Sequence, residues 1–463
     1  MKKQRVLSIF SNVEYYKRLY LLNAIFLSLL DYSPYLSGVF IVVLGVWGVA
    51  LICYEARRGA ISLEKKGMWL LFAFLLVVLL TTMLHIQEKF LQNMGALVIA
   101  AITFFLLYNG ESPGDRELVP TAKSPFTGFL TLFLCTSLIL SIITLVLFFL
   151  NIHLVSFIAR YTGIYLMPSM ASILAACGLF LGIHLLFQWG ELSKGFRLLA
   201  TCQVGVQLLV LVLSNARAGM YAFMAMGLPY ILLLLIRLWK APRMLRAITA
   251  IFLAAGLLGG MFLLYDSLGE FAYRVNHDLY ALRYPGEEAP EADHPLQFQR
   301  EDEAKSSEIR LNILLAGLNT FLRHPITGVS PKAISTTVQE EYHGALEDLA
   351  GIQGGSLHNG YLEVLTGTGL LGFLPLLCFA GYILLQGIIS THYLRRNTKA
   401  YQYNCYLLCT ILGLAVFFLF ESAMLFTMNF SETFFWVFLG RLALRPRPPA
   451  QALSHGQYTL SSL

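Results

Sequence analysis

Three residues in this chain carry groups suited to chemistry, and their neighbours make them stand out. His358 ends a long polar stretch in Leu357-His358-Asn359-Gly360, where the chain turns hydrophobic. Imidazole titrates near working pH, so a histidine on the first turn of an apolar helix is well placed for proton transfer. The plainer alternative is a boundary histidine that only hydrogen-bonds the helix start. Asn359, next to it, is a candidate support for the ring. Arg217 lies in Ser214-Asn215-Ala216-Arg217-Ala218-Gly219, a very short connection between two apolar segments. Arg310 lies in a segment whose leucines, Leu311, Leu314, Leu315, Leu318 and Leu322, fall at helical spacing. A guanidinium fork matches phosphate geometry and can stabilise developing negative charge.

The elements that must position these groups follow from composition. Of 463 residues 57% are hydrophobic and only 13% charged, with mean hydropathy +0.65, against about 25% charged residues in soluble proteins. The chain reads as an all-α, polytopic membrane protein. Twelve apolar segments approach the ~20 residues a crossing needs: about 19–31, 37–54, 67–85, 93–108, 128–150, 170–189, 198–214, 219–237, 247–265, 359–388, 401–422 and 431–444. This divides the chain into helices 1–9 over 1–265, a long loop with amphipathic helices over 266–357, and helices 10–12 with a tail over 358–463. The basic start lacks a cleavage site, so the first helix is expected to stay.

Twenty-three of the 33 Lys and Arg residues fall on one side of this scheme, the side of both termini. The positive-inside rule makes that side cytoplasmic and turns the long loop outward. Arg217, Arg310 and His358 then share the outer face. An arginine held at membrane depth, as Arg217 would be, is costly unless paired and marks a functional position. The plainer alternatives are a helix-end arginine on lipid headgroups for Arg217 and a snorkelling arginine for Arg310. The leucine-rich helix around Arg310 is expected against the membrane surface and to stop at His324-Pro325. Gly367, Gly369 and Gly372 would allow close approach of a helix or a lipid tail.

The pattern His358-Asn359, nine residues, Gly369, two residues, Gly372 resembles the signature of the bacterial O-antigen ligases, within a group of membrane glycosyltransferases that includes O-antigen polymerases and protein O-oligosaccharyltransferases. Two further segments are similar to that family: Ser214-x-x-Arg217-x-Gly219 between two helices, and Arg310 followed by the turn His324-Pro325-x-x-Gly328. The resemblance implies transfer of a glycan from a polyprenyl-pyrophosphate carrier to an acceptor hydroxyl, lipid A–core or another glycan, on the outer face of the bacterial inner membrane. It implies His358 as base and Arg217 and Arg310 as the clamp on the donor pyrophosphate, with membrane lipids as surroundings.

Within that group a polymerase of O-antigen or capsule is the runner-up. Polymerases often carry arginine-x10-glycine; here Arg217 is followed by Gly227, one residue short, and Phe321 stands eleven after Arg310. A secondary transporter or flippase is the rival of another class, since Glu363, Glu421 and Glu432 fall in apolar surroundings. The absence of an internal repeat and the very unequal loops argue against it. No cofactor, metal or nucleic acid is expected. The seven cysteines lie in apolar runs without histidine partners, there is no Asp-x-Asp pair, and the basic excess fits cytoplasmic loops. The acidic stretch 285–303 reads as a solvated face.

Overall fold

The computed structural model describes residues 10–29, 34–61, 67–110, 119, 124–152, 154, 160–188, 190, 192–238, 243–285, 303–341, 356–394 and 398–444. The acidic positions 286–302 lie outside the described residues. The described residues are 80% helical and contain no strand.

In chain order the helices are α1 (Val13–Phe26), α2 (Pro34–Arg57), α3 (Met68–Leu84), α4 (Phe90–Ile102), α5 (Pro125–Phe149), α6 (Pro168–Leu186), α7 (Lys194–Ser214), α8 (Arg217–Leu238), α9 (Arg243–Arg283), α10 (Glu303–Arg323), α11 (Ile334–Glu341), α12 (Gly360–Tyr393), α13 (Lys399–Phe417) and α14 (Phe430–Ala443). Proline opens α5 and α6, where its missing N–H has no intrahelical role. Asparagine side chains cap α1, α12 and α14. Helices carry most of these segments because a backbone in lipid must satisfy its own polar groups.

Each of the twelve expected segments overlaps a helix, although 19–31 and 401–422 run past the helix ends at Phe26 and Phe417. Eight helices are long and apolar enough to cross a membrane among the described residues. The other four expected crossings fall on α1, α3, α9 and α14. Two of them, α1 and α14, have only 14 residues, roughly 21 Å of helix, short of a ~30 Å hydrocarbon layer. Both are packed into the bundle. Tyr16, Tyr20, Leu21, Phe434, Trp436 and Phe438 are buried.

Helix α6 is the centre of the bundle, packing on α7 and α8, while α13 packs on α8 and α12 on α3. Polar side chains join apolar helices where water is absent: Ser141 Oγ of α5 donates to Gln207 Oε1 of α7 at 2.9 Å, and Gln203 Nε2 donates to Ser137 Oγ at 2.9 Å. Helix α4 continues into a π-helical turn, Thr103–Tyr108, packed on α14. Helix α9 runs unbroken for 41 residues, roughly 60 Å, so the boundary read at 265 lies inside it.

Helix α10 ends at Arg323, before Pro325, as proline geometry demands. Its inward face joins α11 and the strip before α12 in a small second core of Ile313, Ala316, Val329, Ile334, Val338 and Leu357. Leu311, Leu315, Leu318 and Leu322 line its exposed face. Glu341, ending α11, gathers Thr320 Oγ1 at 2.7 Å, His324 Nε2 at 3.3 Å and Arg323 Nη1 at 3.7 Å. That pins the two helices together.

Candidate active site

His358 sits just outside α12, two residues before its first turn. Its φ is +51°, a left-handed value uncommon for a residue with a side chain. Several contacts hold it there. The His358 N–H donates to Ser356 Oγ at 3.1 Å and the Leu357 N–H to Glu363 Oε1 at 3.2 Å. Asn359 is the N-cap of α12: its Oδ1 accepts the Leu362 N–H at 2.9 Å and its Nδ2 donates to the Leu419 carbonyl at 3.1 Å. The Gly360 N–H donates to the Phe418 carbonyl at 2.8 Å. Asn359 thus fixes the backbone beneath His358 and locks the start of α12 to the end of α13.

That lock brings Glu421 to the histidine. Glu421 Oε2 lies 4.0 Å from His358 Nδ1, and Nδ1 is buried without a hydrogen-bond partner. The pair is close enough for a small shift or one water to join it, as is common in unliganded sites. Burial pushes the His358 imidazole below its ordinary value, and the Arg310 guanidinium pushes it further down. Burial pushes the Glu421 carboxyl up, opposed first by Arg310 and then by Ser169. One cation therefore acts on both members of the pair, which places Arg310 of α10 at the His358 junction. The sequence flagged Glu421 only as a rare acid in apolar surroundings. Its partnership with His358 spans 63 positions and leaves no local signal.

Arg217 is the first residue of α8, after a two-residue connection in which Asn215 takes φ +44° and its N–H caps α7 through the Val212 carbonyl. Gly219 lets α8 start hard against α6: a Cβ there would collide with Ser172. Tyr221, one turn beyond Arg217, packs on Phe420 with ring centroids 5.4 Å apart. Phe420 precedes Glu421. The Arg217 turn, the start of α6, the 418–421 segment and the His358 junction thus adjoin one another at one end of the bundle. Here α6, α8 and α12 all begin, and helix N-termini favour anions.

At Gly369 the close approach is made by the turn after α10. Gly369 takes φ +60° and ψ −169° and kinks α12. The turn's backbone enters the kink. The Leu370 N–H donates to the Pro325 carbonyl at 2.9 Å and the Leu371 N–H to the Ile326 carbonyl at 3.1 Å. In return the Val329 and Ser330 N–H groups donate to the Thr366 and Gly367 carbonyls, each at 3.0 Å. Gly328, at φ +70°, lies against the Thr366–Gly369 backbone. The two motifs, His358-Asn359-x9-Gly369 and His324-Pro325-x-x-Gly328, are halves of one joint.

A multi-pass helical membrane protein with two arginines, a histidine and a carboxylate gathered where helices begin is suited to an anionic substrate and a proton transfer. Residues 203–377, from α7 through the Gly369 kink, match the family described as O-antigen ligase. The matched range contains Arg217, Arg310 and His358. No curated protein matches the chain.

Proposed function

We propose that the protein transfers a glycan from a polyprenyl-pyrophosphate carrier to an acceptor hydroxyl, as an O-antigen ligase acting on lipid A–core or a similar acceptor. The observation that carries this reading is the grouping of Arg310, His358 and Glu421 at the start of α12, with Arg310 and His358 inside the matched range. Arg217 and Arg310 would hold the pyrophosphate through guanidinium forks. The acceptor oxygen bonds to the anomeric carbon as the carbon–oxygen bond to the pyrophosphate breaks. The leaving polyprenyl pyrophosphate keeps the electron pair, and the arginines take up its extra charge. His358, neutral because its environment disfavours the cation, accepts the hydroxyl proton, worth roughly a hundred- to ten-thousandfold in rate. Glu421 is placed to orient the imidazole and to steady the imidazolium that forms.

The donor supplies its own energy in the sugar–pyrophosphate bond, which suits a site on the outer face of the bacterial inner membrane with both termini in the cytoplasm. The assignment as ligase rests on the His358-Asn359-x9-Gly369-x2-Gly372 pattern. The test uses purified protein in lipid with a carrier-linked glycan. The expected result is no reaction until a separate acceptor is added, then transfer of the glycan in one step. A ladder of longer carrier-linked products without added acceptor would make the protein a polymerase. Movement of unmodified carrier-linked glycan across the bilayer, with no new glycosidic bond, would overturn transferase chemistry altogether.

A further inference from the structure

Arg310 and His358 come from different elements, yet each is preceded in sequence by a residue anchored in the same small core. Leu357, immediately before His358, is 2% exposed and belongs to the core with Ile313 and Ala316 of α10. Ile309, immediately before Arg310, packs against that core, as does Leu362 from the first turn of α12. Where Leu357 meets α10 the helix has no side chain. A Cβ on Gly317 would come within 2.8 Å of Leu357 and 3.1 Å of Leu362. Gly317 stands seven residues after Arg310, two turns along the same side of α10 and roughly 10 Å away along its axis. Glycine weakens a helix interior, so its place within the 21-residue α10 calls for a reason, and the close approach supplies one. Thr366 Oγ1 of α12 also donates to the Gly317 carbonyl at 3.3 Å. None of these groups enters the chemistry above.

We propose that the seating of Leu357 against Gly317 sets the separation of Arg310 and His358, which makes Leu357 and Gly317 positioning residues for the transfer reaction. The backbone joint at Gly369 holds the turn beyond the end of α10. The notch at Gly317 acts nearer the reacting groups. It belongs to the helix that carries the cation, and it receives the side chain next to the base. A buried leucine in a close-packed core has little freedom to shift, so its place fixes that of the peptide after it. Neither residue needs to touch substrate for this.

The proposal rests on the transferase reading, so its test carries an arm that does not. Leu357→Ala, Leu357→Met, Gly317→Ala and Val338→Ala are compared with the unsubstituted protein in lipid nanodiscs, per folded molecule. Val338 is fully buried in the same core but adjoins no reacting group, so its truncation reports lost packing alone. Leu357→Ala should lower kcat by about ten- to a hundredfold, the scale of an ångström-level misplacement, with the donor KM little changed. Leu357→Met conserves volume and should recover most of that loss. Gly317→Ala should lower kcat by about tenfold, although alanine favours the helix. Val338→Ala should lower the thermal midpoint and leave kcat within about twofold. In a His358→Ala background, Leu357→Ala should cost nothing further, because the two act as a unit. Independently of activity, hydrogen exchange of the 356–362 segment should quicken in Leu357→Ala and Gly317→Ala and stay protected in Leu357→Met. A normal kcat in Leu357→Ala or Gly317→Ala, an equal kcat loss in Val338→Ala, or unchanged exchange would each overturn the seating. If the unsubstituted protein transfers no glycan, the function proposed above fails, and the exchange measurement alone still decides whether Gly317 seats the His358 peptide.

Discussion

Gly369→Ala is the sharpest perturbation the joint offers. At φ +60° and ψ −169° the backbone is in a region nearly restricted to glycine, and forcing a side chain there costs about 1–3 kcal/mol. The added Cβ would also collide with the Ile326 carbonyl. Relieving that collision moves the turn away from α12 and strains the Leu370–Pro325 and Leu371–Ile326 hydrogen bonds, each worth about 1 kcal/mol net. The sum is roughly 3–5 kcal/mol against the docked turn. Gly381, on the same helix, meets nothing within 4 Å. Alanine there should be neutral or stabilising by up to about 1 kcal/mol, since glycine is a poor helix former. The assay is the thermal midpoint of each variant in lipid or detergent, together with transfer activity per folded molecule. Gly369→Ala should lower the midpoint clearly and cost about a hundredfold in turnover, because the turn fixes Arg310 relative to His358. Equal midpoints and activities for Gly369→Ala and Gly381→Ala would refute the idea that the kink exists to receive the turn.

Two further substitutions address the chemistry directly. His358→Ala should reduce transfer by at least about a hundredfold with unchanged protein level and donor binding; near-normal turnover would remove the base from His358. Arg217→Gln and Arg310→Gln should each weaken donor use by tenfold or more, as expected for lost charge-assisted bonds to phosphate of about 1.5–3 kcal/mol. Normal kinetics in both variants would dissolve the clamp.

Most of the bundle was legible in the sequence because a lipid-facing helix must be apolar along its length, so hydropathy alone places it. The segments 128–150 and 170–189 became Pro125–Phe149 and Pro168–Leu186, shifted by only a few residues. Legibility failed where burial in protein replaces burial in lipid: α1 and α14 are too short for the bilayer and are covered by neighbouring helices. Residue type and spacing single out His358 and the arginines, and the structure sets Arg310 beside His358. The reasons behind the accompanying glycines were not legible, because each is set by a partner distant in sequence: Ser172 for Gly219, and the Ile326 carbonyl for Gly369. Asn359 could have been read as a helix cap from its position before Gly360, a stronger rule than its supposed support of the ring. Glu421 was out of reach, since nothing near it in sequence announces a histidine.

Arg310 gives the site a dependence on donor that pH can reveal. Its guanidinium depresses His358 and also favours the ionised form of Glu421. In the free protein the guanidinium, added to burial, keeps His358 neutral below the ordinary histidine value near 6.5. A base must be unprotonated to act, so the acid limb of kcat/KM should lie on the low side of that value, with activity falling only as pH drops through it. Replacing Arg310 by glutamine removes a cation that disfavours imidazolium, so the limb should move to higher pH. A bound pyrophosphate should act in the same direction, since its negative charge offsets the guanidinium. His358 would then be a stronger base when the donor is in place than when the site is empty, and the limb of kcat, which reports the complex, should lie above that of kcat/KM. Chemical modification of His358 by diethyl pyrocarbonate across pH, with and without polyprenyl pyrophosphate, checks this without turnover, because only the neutral ring reacts. A reactivity curve that polyprenyl pyrophosphate moves to lower pH, or that neither the ligand nor Arg310→Gln moves, would show that Arg310 does not control the base.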